Sequence, residues 1–246
     1  MGNRLVKYPS PLSSPLRGEG SKNQKAIVLL SGGLDSATAL YYAKSMGYSC
    51  ECLIFDYGQR HKREIESAKR IARACGAGYN VIMINLPWKG SSLLDKNTAI
   101  PKPANRQSGK QANIPNTYVP ARNTIFLSFA VSFAEAIGAR AVFIGANAID
   151  FSGYPDCRPA YFEAFGKVIR RGTKAGIGKK PIEIFTPLID KTKAGIIRMG
   201  TRLKVPYGLT WSCYKGGRRP CLECDSCILR AKGFREAGLA DPAAKL

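Results

Sequence analysis

The chain has 246 residues, 45% of them apolar, and a formal net charge of +21, which suits one sizeable globular domain with a small appendage. It holds no run of eighteen apolar residues, which excludes a helix that spans a bilayer, and its first 24 residues lack the apolar core of a secretory signal. The surplus of cations attracts anions, from nucleic acid to phosphorylated small molecules, and selects none of them.

Residues 1–24, rich in Pro, Ser and Gly, read as a disordered tail. KAIVLL (25–30) is a short apolar strand, and SATALYYAKSMGY then reads as a helix ending at Gly47. CECLIFDYG (50–58) is a second strand. KREIESAKRIARACGA carries Ile65, Ala68, Ile71, Ala72 and Cys75 at helical spacing. YNVIMINL (79–86) is a third strand, and the polar, Pro-containing stretch 87–118 is long enough to be a lid. ARNTIFLSFAVSFAEAIGA is an apolar helix on which Phe126, Phe129 and Phe133 are spaced as a buried face. The strand AVFIGAN follows, then helical patterns near 160–171 and 192–203 with the strand IEIFTPL between them. Strands alternating with helices predict an α/β fold, a doubly wound and mainly parallel sheet covered on both faces. The expected division is a tail over 1–24, a main α/β domain over 25–205, a distinct C-terminal segment over 206–238 and a tail over 239–246.

In such sheets ligands sit beyond the carboxyl ends of the strands. Three polar signatures fall there: SGGLDS after the first strand, DYGQRH with His61 after the second, and GANAIDFSGYPDCR after the fourth. SGGLDS carries the strongest chemistry. Two glycines between a strand and a helix let the backbone approach an anion, the helix N-terminus offers free N–H groups, and Ser31 and Ser36 add hydroxyls. No GxxxxGK[ST] occurs in the chain, so this is not the Walker A loop. Without that lysine the loop suits holding the β and γ phosphates as one leaving group, with attack at the α phosphorus and release of AMP and pyrophosphate. Asp35 orients the loop or helps hold Mg²⁺.

Eight cysteines divide into two sets. Cys50, Cys52 and Cys75 read as core packing, and Cys157 sits in a polar motif without a visible partner. Cys213, Cys221, Cys224 and Cys227 offer four thiolates within fifteen residues, including two CxxC steps, which is the ligand set of a closed structural zinc site, one Zn²⁺ per chain, with an iron–sulfur cluster as the main rival. Arg218, Arg219 and Arg230 lie near enough in sequence to offset its charge. The basic run 167–180 reads as a solvated surface.

SGGLDS in its strand–loop–helix setting resembles the PP-loop ATP pyrophosphatase superfamily, which implies an adenine nucleotide α-hydrolase-like fold. The ordered set SGGLDS, DYGQRH, IPNTYVPARN, GANAIDFSGYPDCR, TPLIDKTK, LTWSCY and CLECDSC closely resembles the 7-cyano-7-deazaguanine synthase family of queuosine biosynthesis over about residues 25–236. The resemblance implies a ligase that joins ammonia to 7-carboxy-7-deazaguanine at the cost of ATP and yields the nitrile. It implies ATP contacts along Leu30, Ser31, Gly32, Gly33, Leu34, Asp35, Ser36, Ala37, Thr38, Ala39 and Leu40. Ser31, Asp35, Ser36, Arg122 and Lys191 are the implied catalytic groups. The deazaguanine pocket is implied at Asp150, Phe151, Tyr154, Asp156 and Arg158, with Asp150 or Asp156 meeting the donor edge of the base and Phe151 or Tyr154 stacking on it. It further implies a cytoplasmic homodimer that acts on small molecules and requires neither nucleic acid nor membrane. A single histidine and no room for a glutaminase domain point to free ammonia as the nitrogen donor. One departure stands in the cysteine run, where many relatives have glycine and this chain has Leu222.

Overall fold

Strand β1 (Lys25–Leu29) is apolar on both sides of its pleat, and that decides the architecture. Ala26 and Val28 enter one buried cluster, Ile27 and Leu29 the other. A strand that must bury both faces needs helices above and below it. The computed structural model describes residues 24–88, 90–95, 97–99, 114–149 and 153–243. In it β1 lies at the centre of a five-stranded sheet with β2 (Ser49–Asp56), β3 (Gly78–Met83), β4 (Ala141–Ile144) and β5 (Glu183–Phe185). The order is β3-β2-β1-β4-β5 and every pairing is parallel. One buried cluster joins α1 (Leu34–Ser45), α2 (Arg63–Ala74), α6 (Lys193–Arg202) and α7 (Asp225–Ala237) to the sheet. The other joins α3 (Arg122–Ile137) and α4 (Pro159–Gly172), the latter followed by the single turn α5 (Lys174–Ile177). This is the doubly wound sheet expected from the alternation of elements.

Because successive strands are added on one side of β1 and then on the other, the crevice lies at the carboxyl ends of β1 and β4. Gly145, just past β4, shapes it. A Cβ there would lie 2.8 Å from the carbonyl carbon of Asp35 and from the amide nitrogen of Ser36. Only glycine lets the end of β4 run against the first turn of α1.

Several boundaries differ from the sequence pattern. β2 ends at Asp56, where the Gln59 amide accepts from the Tyr57 N–H at 2.8 Å and donates to the Phe55 carbonyl at 3.1 Å, turning the chain off the sheet. β3 is an edge strand that stops at Met83, and β5 keeps three residues before the chain turns toward α6. On α3 the buried face is Asn123, Leu127, Ala130, Val131 and Ala134. Phe126 stacks on Phe55 with ring centroids 3.9 Å apart, Phe133 is half-buried, and Phe129 is exposed, so the aromatic stripe flanks the core instead of forming it. The lid expected over 87–118 falls largely on residues outside those described. Cys50 and Cys52 are buried in the core and Cys75 packs against it, as expected; burial pushes the Cys50 thiol up to about 12.

Candidate functional site

The loop after β1 is held from three directions. Gly32 has φ +83, open to glycine and strained for other residues, and a Cβ there would strike the Glu64 carbonyl and lie 2.8 Å from the Ala68 N–H nitrogen. The loop therefore rests directly on the first turns of α2. Its Gly32 carbonyl accepts the Trp211 N–H at 2.9 Å, tying it to the segment that leads into the cysteine cluster. Within the loop the Ser31 and Ser36 hydroxyls lie 3.0 Å apart, and Ser36 Oγ donates to the Gly33 carbonyl at 3.1 Å. Thr38 lies deeper in α1, its hydroxyl 2.9 Å from that of Tyr207. Gly33 begins α1 without a side-chain cap, so the first N–H groups of the helix face the crevice.

Asp35 receives Lys193 Nζ at 2.8 Å on each carboxylate oxygen. This ion pair is largely buried, and α7 presses on it: a Cβ at Gly233 would collide with the Lys193 side chain. Both oxygens of Asp35 are thus engaged, which favours loop orientation over the alternative of holding Mg²⁺. The cation that TPLIDKTK brings to the loop is Lys193. Lys191 is half-exposed, lies 3.8 Å from Asp190, and is absent from the cavity wall.

The loop opens onto a cavity of about 260 Å³. Ser31, Gly33, Asp35, Ser36 and Lys193 line one part; Tyr57, Glu64, Arg122, Tyr154 and Tyr214 line it elsewhere. Ala121, with φ 51, turns the chain so that Arg122 opens α3 beside the cavity, where its guanidinium lies 3.4 Å from the Tyr57 hydroxyl. Tyr154 is buried and its hydroxyl lies 2.6 Å from that of Thr117. Glu64, which the sequence pattern marks merely as the polar side of an amphipathic helix, stands half-buried at the wall. Burial pushes its carboxyl up to about 7, against the pull of Arg122.

The other expected pocket residues separate. Asp156 accepts the Asn123 N–H at 3.1 Å, and its main-chain carbonyl accepts the Asn123 amide at 2.9 Å. It caps the start of α3 and is not part of the cavity wall. Cys157 lies on the wall, its sulfur 3.4 Å from the Asn123 amide nitrogen. Arg158 is exposed at the start of α4. Asp150 and Phe151 lie outside the described residues. His61 stands under the turn at Gly216, with its ring edge-on to Trp211, and does not line the cavity.

The four cysteines expected to bind metal converge. Their sulfurs all lie within 4.8 Å of one another, with Cys221 and Cys227 at 4.0 Å. Bonds of about 2.3 Å to a tetrahedral zinc require sulfur–sulfur edges of roughly 3.8 Å, so the set fits such an ion with small adjustment. Backbone N–H groups of Cys221 and Cys224 point at Cys213 and Cys221 sulfurs at 3.3 and 3.4 Å, as suits thiolates. A hydrogen bond from Cys227 holds the Cys224 thiol below its ordinary value. Arg230 does not serve as a free counter-charge. Its guanidinium binds Asp241 at 2.7 and 2.9 Å, Thr210 at 2.6 Å and the Tyr207 carbonyl at 3.0 Å, bracing α7 against the preceding segment. Leu222 has φ 61, the region that glycine adopts without strain.

Among the described residues no helix is long and apolar enough to cross a membrane. The family model described as Queuosine biosynthesis protein QueC matches residues 25–238. A 7-cyano-7-deazaguanine synthase of Thermoplasma acidophilum is 53% identical to this chain over 221 residues, covering 90% of this chain and 92% of the relative. One from Thermosynechococcus vestitus is 54% identical over 221 residues, covering 89% and 94%. Among solved structures, NMN synthetase from Francisella tularensis is a distant likeness at 18% identity and a TM-score of 0.48, covering 91% of this chain and 82% of that one.

Proposed function

The chain belongs to the family of queuosine biosynthesis proteins matched over residues 25–238, and from that premise we propose that it converts 7-carboxy-7-deazaguanine, ammonia and ATP into 7-cyano-7-deazaguanine. It is an enzyme of the ligase class that forms a carbon–nitrogen bond. The observation that carries the reading is the single cavity in which the glycine-serine loop, Lys193 and Arg122 meet.

The chemistry follows from what each group can do. A carboxylate is a poor electrophile, so its oxygen first attacks the α phosphorus of ATP and pyrophosphate leaves. The β and γ phosphates lie against the open N–H groups at the start of α1 and the hydroxyls of Ser31 and Ser36, which favours their departure as one unit. Lys193, fixed by Asp35, adds positive charge where negative charge collects. Arg122 faces the substrate carboxylate and the α phosphate from the other wall. Ammonia then displaces AMP and leaves an amide. A second adenylation, now of the amide oxygen, and loss of AMP give the nitrile. One cradle serves both rounds. ATP enters as its Mg²⁺ complex, and no carboxylate of the chain is assigned to that ion.

Residues 25–205 carry the nucleotide loop and the sheet that aims it, and residues 206–238 the metal. The metal is Zn²⁺, one per chain, held by Cys213, Cys221, Cys224 and Cys227. Closed on all four sulfurs, the ion would cross-link the segment and take no part in the reaction. Tyr154 supplies an aromatic wall for the deazaguanine ring. The protein works as a cytoplasmic homodimer and needs no nucleic acid.

Incubation with Mg-ATP, ammonium and 7-carboxy-7-deazaguanine tests the reading, with mass detection of the products. Nitrile and AMP are expected, and an unchanged carboxylate would overturn it. Elemental analysis should find zinc at one per chain, and sedimentation should find a dimer.

A further inference from the structure

Two carboxylates line the cavity among the described residues, Asp35 and Glu64. Asp35 has both oxygens on Lys193. No hydrogen bond or ion pair to the Glu64 carboxylate is found among the described residues, although its wall position leaves it open to whatever enters. The Glu64 backbone lies directly on the phosphate loop, because its carbonyl is what a Cβ at Gly32 would strike. Glu64 also lines the same cavity as Ser31, Gly33 and Ser36 of that loop.

Resting on the reaction proposed above, we infer that Glu64 is the catalytic base that takes the proton released by the attacking nitrogen. In the first round the ammonia lone pair forms the carbon–nitrogen bond. A proton passes from the resulting N⁺–H to a Glu64 oxygen, and the carbon–oxygen bond breaks with its electron pair leaving on AMP. The carboxyl returns the proton to water. In the second round the amide nitrogen loses both of its protons: one passes to water once the amide oxygen is adenylated, and Glu64 takes the other as AMP departs and the carbon–nitrogen triple bond closes. Each round moves one proton to Glu64 and one electron pair to AMP, and no oxidant or reductant is required.

The surroundings suit that role. Arg122 on α3 is the charged group facing Glu64, with Tyr57 after β2 and Tyr214 before the cysteine run close enough to be felt electrostatically. Burial holds the carboxyl at about 7, where it exists in both forms near neutral pH. A base of that strength both accepts and returns a proton within a turnover.

Two assays separate the steps. Carboxylate-dependent ATP–pyrophosphate exchange without ammonium reads adenylation alone, and nitrile formation with ammonium reads the whole sequence. Glu64→Gln should keep exchange within about threefold of wild type while nitrile formation falls roughly 10²–10⁴-fold. With free ammonia held constant, the wild-type rate should rise with pH through about 7, and this limb should vanish in Glu64→Gln and persist in Glu64→Asp. Equal losses in both assays, a raised KM for the carboxylate with kcat unchanged, or full nitrile formation by Glu64→Gln would each overturn the assignment. Absence of exchange in the wild-type protein would overturn the proposed function itself, and the role of Glu64 with it.

Discussion

Replacing Gly32 and Gly33 one at a time by alanine separates two demands on the same loop. At Gly32 the backbone has φ +83, which costs a non-glycine residue about 1–3 kcal/mol. The added Cβ would also strike the Glu64 carbonyl and sit 2.8 Å from Ala68 N, both backbone atoms of a helix that cannot rotate away. Displacing them costs a further ~1–3 kcal/mol. The sum is roughly 2–6 kcal/mol against a total stability of about 5–15 kcal/mol. Gly33 has φ −79, and its Cβ would meet nothing closer than Ser31 Oγ at 3.5 Å. Gly33→Ala should therefore stay within about 1 kcal/mol of wild type. Denaturant titrations of the three proteins give the comparison, through midpoints at unchanged slope. If Gly32→Ala were as stable as Gly33→Ala, the loop would not be pressed onto α2, and the argument that α2 aims it would fail.

Lys193→Met strips Asp35 of a largely buried partner, so it should cost about 3–5 kcal/mol and abolish ATP–pyrophosphate exchange, whereas Lys191→Met should leave exchange near wild type. Leu222→Gly should raise stability by about 1 kcal/mol, read by denaturant midpoint, because it relieves a positive φ on an exposed side chain. Asp241→Asn breaks the buried brace to Arg230 and should cost about 3 kcal/mol, seen as a fall in Tm of several degrees.

The sheet was legible because its signals are local: an apolar run, two glycines and a small-residue helix follow one another within residues 25–45. The four cysteines were legible for the same reason. What escaped depends on pairings across the chain. Asp156 reads as a pocket carboxylate until Asn123, 33 residues away, is seen to donate to it. Lys191 and Lys193 are both cations in one loop, and only the collision course of Gly233 with Lys193 shows which one is driven inward. Glu64 looks like any exposed acid on an amphipathic helix, and its position against the loop follows from how α2 docks. Helix α7 was hidden inside a segment whose cysteines suggested a metal loop. Its buried Phe234 joins the main core, a contact invisible to periodicity alone.

The position of cleavage in ATP tests the central claim most directly. With nucleotide labelled at the α phosphorus, plus ammonium and 7-carboxy-7-deazaguanine, the label should appear as AMP, one for each of the two adenylation rounds per nitrile formed. Label recovered as ADP would mean that the γ phosphate is the group attacked, and would contradict the assignment of the Ser31–Ser36 loop as a pyrophosphate cradle.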